Sequence, residues 1–224
     1  MENNIESCNV SEGVTSFINL ADFAITTNVL GPGRRAIIWV QGCPRRCHNC
    51  ITPHMQRFDI IKERITPTEL ADRVIRNLPL EGITFVGGEP FSHAHQLSEL
   101  VKILRCTIDL SVLTYSGHRL TQILAARRAD WEELLAVTDI LIDGEYVESL
   151  ACDLIWRGSS NQQMHFLNKR YQQIEQMLIG ARGRLIEISV SSCGELRVIG
   201  IPEPGFFDRF SLDLGKRGIE FVTN

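Results

Sequence analysis

The run AIIWVQGCPRRCHNC, residues 36–50, joins a strand to a cluster of thiols. Its first five residues are apolar and rich in branched and aromatic side chains, the composition of a buried strand. Cys43, Cys47 and Cys50 follow at once in the spacing C-x3-C-x2-C. Three more apolar runs end in the same manner. GITFV (82–86) leads into Gly87, Gly88, Glu89 and Pro90; LSVLT (110–114) leads into Tyr115, Ser116 and Gly117; DILI (139–142) leads into Asp143, Gly144 and Glu145.

Between these runs the periodicity changes. Thr66, Pro67, Thr68 and Glu69 form a capping-box sequence with proline in the first turn, and Leu70, Val74, Ile75 and Leu78 then recur at helical spacing. Ser92 is placed to cap a second helix carrying Leu97, Leu100, Val101 and Leu104. Leu120, Ile123 and Leu124, then Trp131, Leu134 and Leu135, mark further helical stretches. Strands alternating with helices predict an α/β fold with mostly parallel strands, either doubly wound or part of a barrel, with the polar strand endings gathered on one rim. Beyond about residue 150 the pattern weakens. Residues 187–190 and 196–199, joined by SSCGE, predict a C-terminal β-hairpin extension, and PEPG at 202–205 predicts a turn.

Length and composition fit one soluble domain over residues 1–224, with a core at about 17–165 and an extension at about 166–224. A net charge of -4 points away from nucleic acid, and the uninterrupted apolar runs are too short to span a membrane. The N-terminal MENNIESCNV lacks the basic and apolar segments of a secretory signal, so the expected compartment is the cytoplasm. In that reducing setting, close cysteine spacing signals metal or redox chemistry rather than disulfides. Cys8, Cys106, Cys152 and Cys193 are scattered and read as packing residues or idle thiols.

A closed structural metal site uses four protein ligands, and here there are three close cysteines. Thiolates suit zinc or iron-sulfur clusters, and a missing ligand leaves a coordination position for substrate. Three cysteines on a 4Fe-4S cluster leave one iron open. His48, inside the loop, is an alternative fourth ligand for a structural zinc.

The C-x3-C-x2-C loop after a strand resembles the cluster loop of the radical S-adenosylmethionine superfamily, in which the open iron is chelated by the amino and carboxylate groups of S-adenosylmethionine. GGEP, one strand and helix later, is similar to the segment of that superfamily that receives the methionine ammonium group. Gly87 and Gly88 permit close backbone approach, the Glu89 carboxylate suits a cation, and Pro90 holds Glu89 extended. VLGPGRRAIIWVQGCPRRCHNC, LTYSGH, LIDGEY and WRGSSNQQ together resemble the activating enzymes of anaerobic ribonucleotide reductase, over roughly residues 23–165.

The resemblance implies a partial (β/α)6-type TIM-like barrel. It further implies reductive cleavage of S-adenosylmethionine to a 5'-deoxyadenosyl radical, a glycyl-radical protein partner, and a flavodoxin- or ferredoxin-like electron donor. On that basis Thr114 and Ser116 are candidates for the cofactor carboxylate or ribose, Asp143 for a ribose hydroxyl, and Arg157 for a carboxylate with Ser159 and Asn161 beside it. Each has a plainer alternative as a turn residue or surface ion pair. Arg45 and Arg46 read as a solvated basic loop, or as groups that offset thiolate charge or meet an acidic partner. Two other functions stay open: a small-molecule enzyme of the same superfamily, similar to the carboxydeazaguanine synthases, and a structural zinc module.

Overall fold

The computed structural model describes residues 16–219, so Cys8 and the N-terminal segment lie outside the described residues. In chain order the elements begin with β1 (Ile18–Thr27), β2 (Arg34–Val40), β3 (Glu63–Ile65), α1 (Pro67–Ile75) and β4 (Gly82–Gly87). They continue with α2 (Ala94–Arg105), β5 (Ser111–Ser116), α3 (Leu120–Ala126), α4 (Ala129–Val137) and β6 (Ile140–Asp143). β7 (Gln163–Phe166), α5 (Glu175–Gly180), β8 (Ile186–Val190), β9 (Leu196–Gly200) and α6 (Phe206–Gly215) complete the series.

Seven strands form one sheet in the order β3-β1-β2-β4-β5-β6-β7, and β8 pairs with β9 as a separate antiparallel hairpin. β2, β4, β5 and β6 are consecutive parallel neighbours, connected by helical crossovers as the alternation predicts. The margins depart from a six-fold strand-helix repeat. β1 meets both β2 and β3 antiparallel, and β7 returns antiparallel to β6, so five of the seven strands run one way. β3 and β7 are the edges of this sheet.

The capping box forms as the sequence predicts: the Thr66 hydroxyl accepts from the Glu69 amide at 3.2 Å, and the Glu69 carboxylate accepts from the Thr66 amide at 2.9 Å. Ser92 does not cap α2. It lies inside a 3-10 turn over Pro90–His93, and α2 starts at Ala94, because the Glu89 side chain takes the Phe91 amide and starts the turn earlier.

Alternation along the parallel strands gives the sheet two apolar faces. Ile38, Phe85, Val112 and Leu141 face a layer that includes Leu97, Leu100, Leu104 and Leu134 of α2 and α4. Burial of each such side chain stabilises the fold by about 1.5–3 kcal/mol. On the opposite face, Ile37 packs in a cluster with Ile199 of β9, while Leu113, Ile140 and Ile142 pack with Trp156, Tyr171 and Leu178. The chain after β7 therefore covers this inner face. Its hold is polar as well: the Tyr171 hydroxyl donates to Glu81 at 2.7 Å, and Arg197 donates to Asp22 and to the Phe23 carbonyl of β1.

Arg35, at the start of β2, is buried on that inner face. Desolvation lowers its pKa, yet its guanidinium donates to Thr84 and Ser111 hydroxyls and to the Pro32, Ile83 and Ser111 carbonyls. These bonds tie the amino ends of β2, β4 and β5, opposite the rim that carries the cysteines.

Candidate active site

The rim at the carboxyl ends of β2, β4, β5 and β6 is laced together by hydrogen bonds. Beyond β2, the Gln41 side-chain amide donates to the carbonyls of His54 and Arg57, and the amides of Gly42 and Cys43 donate to the carbonyls of Met55 and Gln56. The cysteine loop is thereby closed at its base. His93, just before α2, reaches the Gln41 carbonyl through Nε2 at 2.8 Å, and burial lowers its pKa so that the neutral ring is favoured.

GGEP docks directly on this loop. The Gly88 amide donates to the Val40 carbonyl at 2.7 Å, and the Glu89 amide donates to the Gly42 carbonyl at 2.8 Å. Gly87 has φ +103°, and a Cβ on Gly88 would land on the Gly42 carbonyl oxygen. Gly88 thus admits the loop's own backbone and Gly87 that of β2 at Trp39 and Val40. Thr52 completes the junction, its hydroxyl donating to the Gly87 carbonyl at 3.1 Å while lying 3.8 Å from Cys50 Sγ.

Cys43, Cys47 and Cys50 are reduced and partly buried. Desolvation pushes the Cys43 thiol up to about 11, opposed by the Arg45 backbone amide aimed at it. Cys47 is also raised by desolvation and is opposed by the Tyr146 amide from the loop after β6. Without metal the Cys43 and Cys47 thiols stay protonated, and metal capture has to displace those protons. Amides directed at two sulfurs and a hydroxyl near the third match the hydrogen bonding that accompanies thiolate-held iron. A 4Fe-4S cluster therefore fits this donor set. Among the described residues, no group of three or more His, Cys, Asp or Glu side chains converges where a single metal ion would bind. His48 points elsewhere: its ring is largely exposed and pairs through Nδ1 with Glu148 at 3.2 Å.

Arg45 is not a solvated arginine. It crosses the rim to Glu145 at 3.2 Å, His118 Nδ1 at 3.1 Å and Gln122 at 3.4 Å. Arg46 instead folds back onto the Cys43 and Arg45 carbonyls.

The remaining candidates separate by where their side chains go. Pro90 is buried and Glu89 extended, as the sequence implies, but the Glu89 carboxylate is not free for a ligand. Its Oε1 accepts from the Phe91 amide at 3.1 Å and the Ser116 hydroxyl at 2.9 Å, and its Oε2 accepts from the Gly117 amide at 2.8 Å. Burial raises its pKa, and these three donors oppose the rise. Glu89 and Ser116 thus fasten the end of β4 to the end of β5. Thr114 faces the helical layer, bonded to the Thr138 hydroxyl at 2.9 Å, because alternation turns it away from the inner face. Asp143 is likewise committed, accepting from the Leu120 amide at 2.6 Å and from His165 Nε2 at 2.9 Å. Arg157 lies under the C-terminal extension and donates to the Ile179 carbonyl at 2.5 Å. Ser159 accepts from the Val147 amide, and the Asn161 side chain donates to the Glu145 carbonyl.

Gln41, Thr52, His93, His118 and Glu148 are residues that motif spacing alone did not single out. Their only sequence signal is position, within or just beyond the strand-end segments. On the inner face beside Trp39, Val86 and Tyr115 are only partly buried, an apolar surface near Gly87.

A model of the family described as a 4Fe-4S single cluster domain matches residues 29–165. The anaerobic ribonucleoside-triphosphate reductase-activating protein of Salmonella typhi is 29% identical over 148 residues, covering 62% of this chain and 92% of that protein. Its counterpart in Haemophilus influenzae is 28% identical over 160 residues, covering 66% and 97%. The solved structure of QueE from Escherichia coli is similar at 21% identity and a TM-score of 0.35, over 45% of this chain and 51% of that one.

Proposed function

Because the chain belongs to the 4Fe-4S single cluster domain family, we propose that it is a radical S-adenosylmethionine activase that installs a glycyl radical on a partner enzyme such as anaerobic ribonucleotide reductase. The similarity to reductase-activating proteins supports this reading, since it spans nearly their full length. The observation that carries it is the junction between the cysteine loop and GGEP, held by the Glu89-to-Gly42 and Gly88-to-Val40 bonds.

Cys43, Cys47 and Cys50 would hold the cluster, one protein ligand short of a closed set, which suits a site shared with S-adenosylmethionine. When bound, the cluster and S-adenosylmethionine would supply reductive radical chemistry directed at a glycine of the partner. The chain's own residues set position. Gly87 and Gly88 bring backbone to the open side of the loop, and Glu89 with Ser116 keeps the β4 and β5 endings in register. Val86 and Tyr115 offer apolar contact to the adenosyl group and limit water beside it. The electron donor is a flavodoxin- or ferredoxin-like protein.

The test is anaerobic. With reductant and S-adenosylmethionine, 5'-deoxyadenosine release should rise on adding the cognate anaerobic reductase, with a glycyl-radical signal on the reductase. Stimulation by a small molecule, with none by the reductase, would assign the chain to the small-molecule enzymes instead.

A further inference from the structure

The loop after β6 and the WRGSSNQQ segment contain motif residues that the proposed chemistry leaves without a task. Their contacts converge on one carboxylate. Glu148 Oε1 accepts from the Asn49 side-chain amide at 2.7 Å, and Glu148 Oε2 meets His48 Nδ1 at 3.2 Å. His48 and Asn49 are the two residues between Cys47 and Cys50, so one distant side chain grips the whole turn that spaces two thiols. Asn49 sits at φ +52°, a left-handed backbone conformation that asparagine tolerates better than most residues. Without an outside partner that turn has few local bonds to hold it, chiefly the Cys50 amide to the Cys47 carbonyl at 3.3 Å.

Glu148 is itself braced. The Val147 amide donates to Ser159 Oγ, the Ser160 amide donates to the Leu150 carbonyl, and Ala151 bridges to Ser159. Gln162 then closes the segment, accepting from the amides of Gly158 and Ser159 and donating to the Gly144 carbonyl at 2.9 Å. The same loop aims the Tyr146 amide at Cys47 and the Glu145 carboxylate at Arg45.

We infer that Glu148 is a positioning residue for the iron cluster: it sets the spacing of Cys47 and Cys50 through His48 and Asn49, and Ser159 and Gln162 hold it in place. The inference rests on the cluster reading above and assigns the two motifs to ligand orientation rather than to cofactor contact. Outer partners that orient metal ligands typically change metal affinity by about 10–100-fold when removed.

The test follows iron rather than turnover. Wild type, Glu148→Ala, Glu148→Gln, Asn49→Gly and a control at an exposed site, Glu132→Ala, are reconstituted anaerobically. Iron and sulfide per chain are measured, along with the rate of iron loss to a chelator and the melting of the metal-free proteins. Glu148→Ala should lose iron about 10–100-fold faster than wild type. Glu148→Gln keeps an acceptor for Asn49 and should recover much of the difference. Asn49→Gly keeps the left-handed backbone, deletes one of the two donors, and should show part of the Glu148→Ala effect without adding to it in the double variant. Metal-free melting of the variants should follow wild type, which separates ligand positioning from a general loss of fold. Iron loss in Glu148→Ala and Asn49→Gly equal to that of Glu132→Ala would overturn the inference while leaving the cluster reading intact. Failure of the wild-type chain to take up iron and sulfide would overturn both.

Discussion

Replacing Glu89 with alanine should destabilise the protein before any cofactor is present. The side chain is 1% exposed and serves three donors, the amides of Phe91 and Gly117 and the hydroxyl of Ser116. Truncation strands all three in a site that water barely enters. At about 1 kcal/mol or more for each stranded donor, and with a small cavity added, the loss is about 3–5 kcal/mol. Glutamine distinguishes the individual bonds. Two of the donors share Oε1 and one uses Oε2, so an amide oriented with its oxygen at the Oε1 position keeps the pair and sets its NH2 against the Gly117 amide. That variant should lose about 1–2 kcal/mol. For a chain of this size the melting temperature should fall by about 6–20 °C for Glu89→Ala and by less than half of that for Glu89→Gln. The assay is thermal and urea unfolding of metal-free protein. Melting of metal-free Glu89→Ala at the wild-type temperature would refute this reasoning and return the carboxylate to ligand binding.

Two other outcomes follow from the rim. Alanine at Cys43, Cys47 or Cys50 should abolish iron uptake and S-adenosylmethionine cleavage together, whereas Cys106→Ala, just past the end of α2, should leave both intact; iron analysis and 5'-deoxyadenosine release check this. His93 has a depressed pKa caused by burial, so below its unfolded value of about 6.5 the unfolded chain binds the extra proton more readily and stability falls with pH. That contribution is whole above about pH 6.5 and is lost as pH drops toward the folded value. Urea unfolding at pH 7.5 and 5.5 should show a smaller decrease in His93→Gln than in wild type.

The parallel centre of the fold was legible because each of its strands is an apolar run buried on both faces, and such runs stand out even when they are short. β1 was not. INLADFAITT mixes polar and apolar residues along an antiparallel strand, and no strand was assigned there from periodicity. β7 is four residues long, with no apolar run to announce it. Without these strands periodicity reached only the parallel centre, and the six-fold barrel stood on the family resemblance alone. The C-terminal hairpin was visible from the glycine turn in SSCGE, but its hold on the inner face was not, since that depends on Tyr171, Leu178 and Ile199 finding distant partners.

At the site, the cysteines and GGEP announced themselves by spacing. Thr114, Asp143 and Arg157 lay in strand-end or motif segments, yet their side chains turn to Thr138, to Leu120 and His165, and to Ile179. Proximity in sequence to a strand end fixes the rim a residue occupies. Its face depends on register and on which partner satisfies the polar group.

Metal content of the anaerobically purified chain tests the central claim most directly. About four irons with matching sulfide per chain, and negligible zinc, is the predicted result for three thiolates on a 4Fe-4S cluster. One zinc per chain with no iron would contradict it.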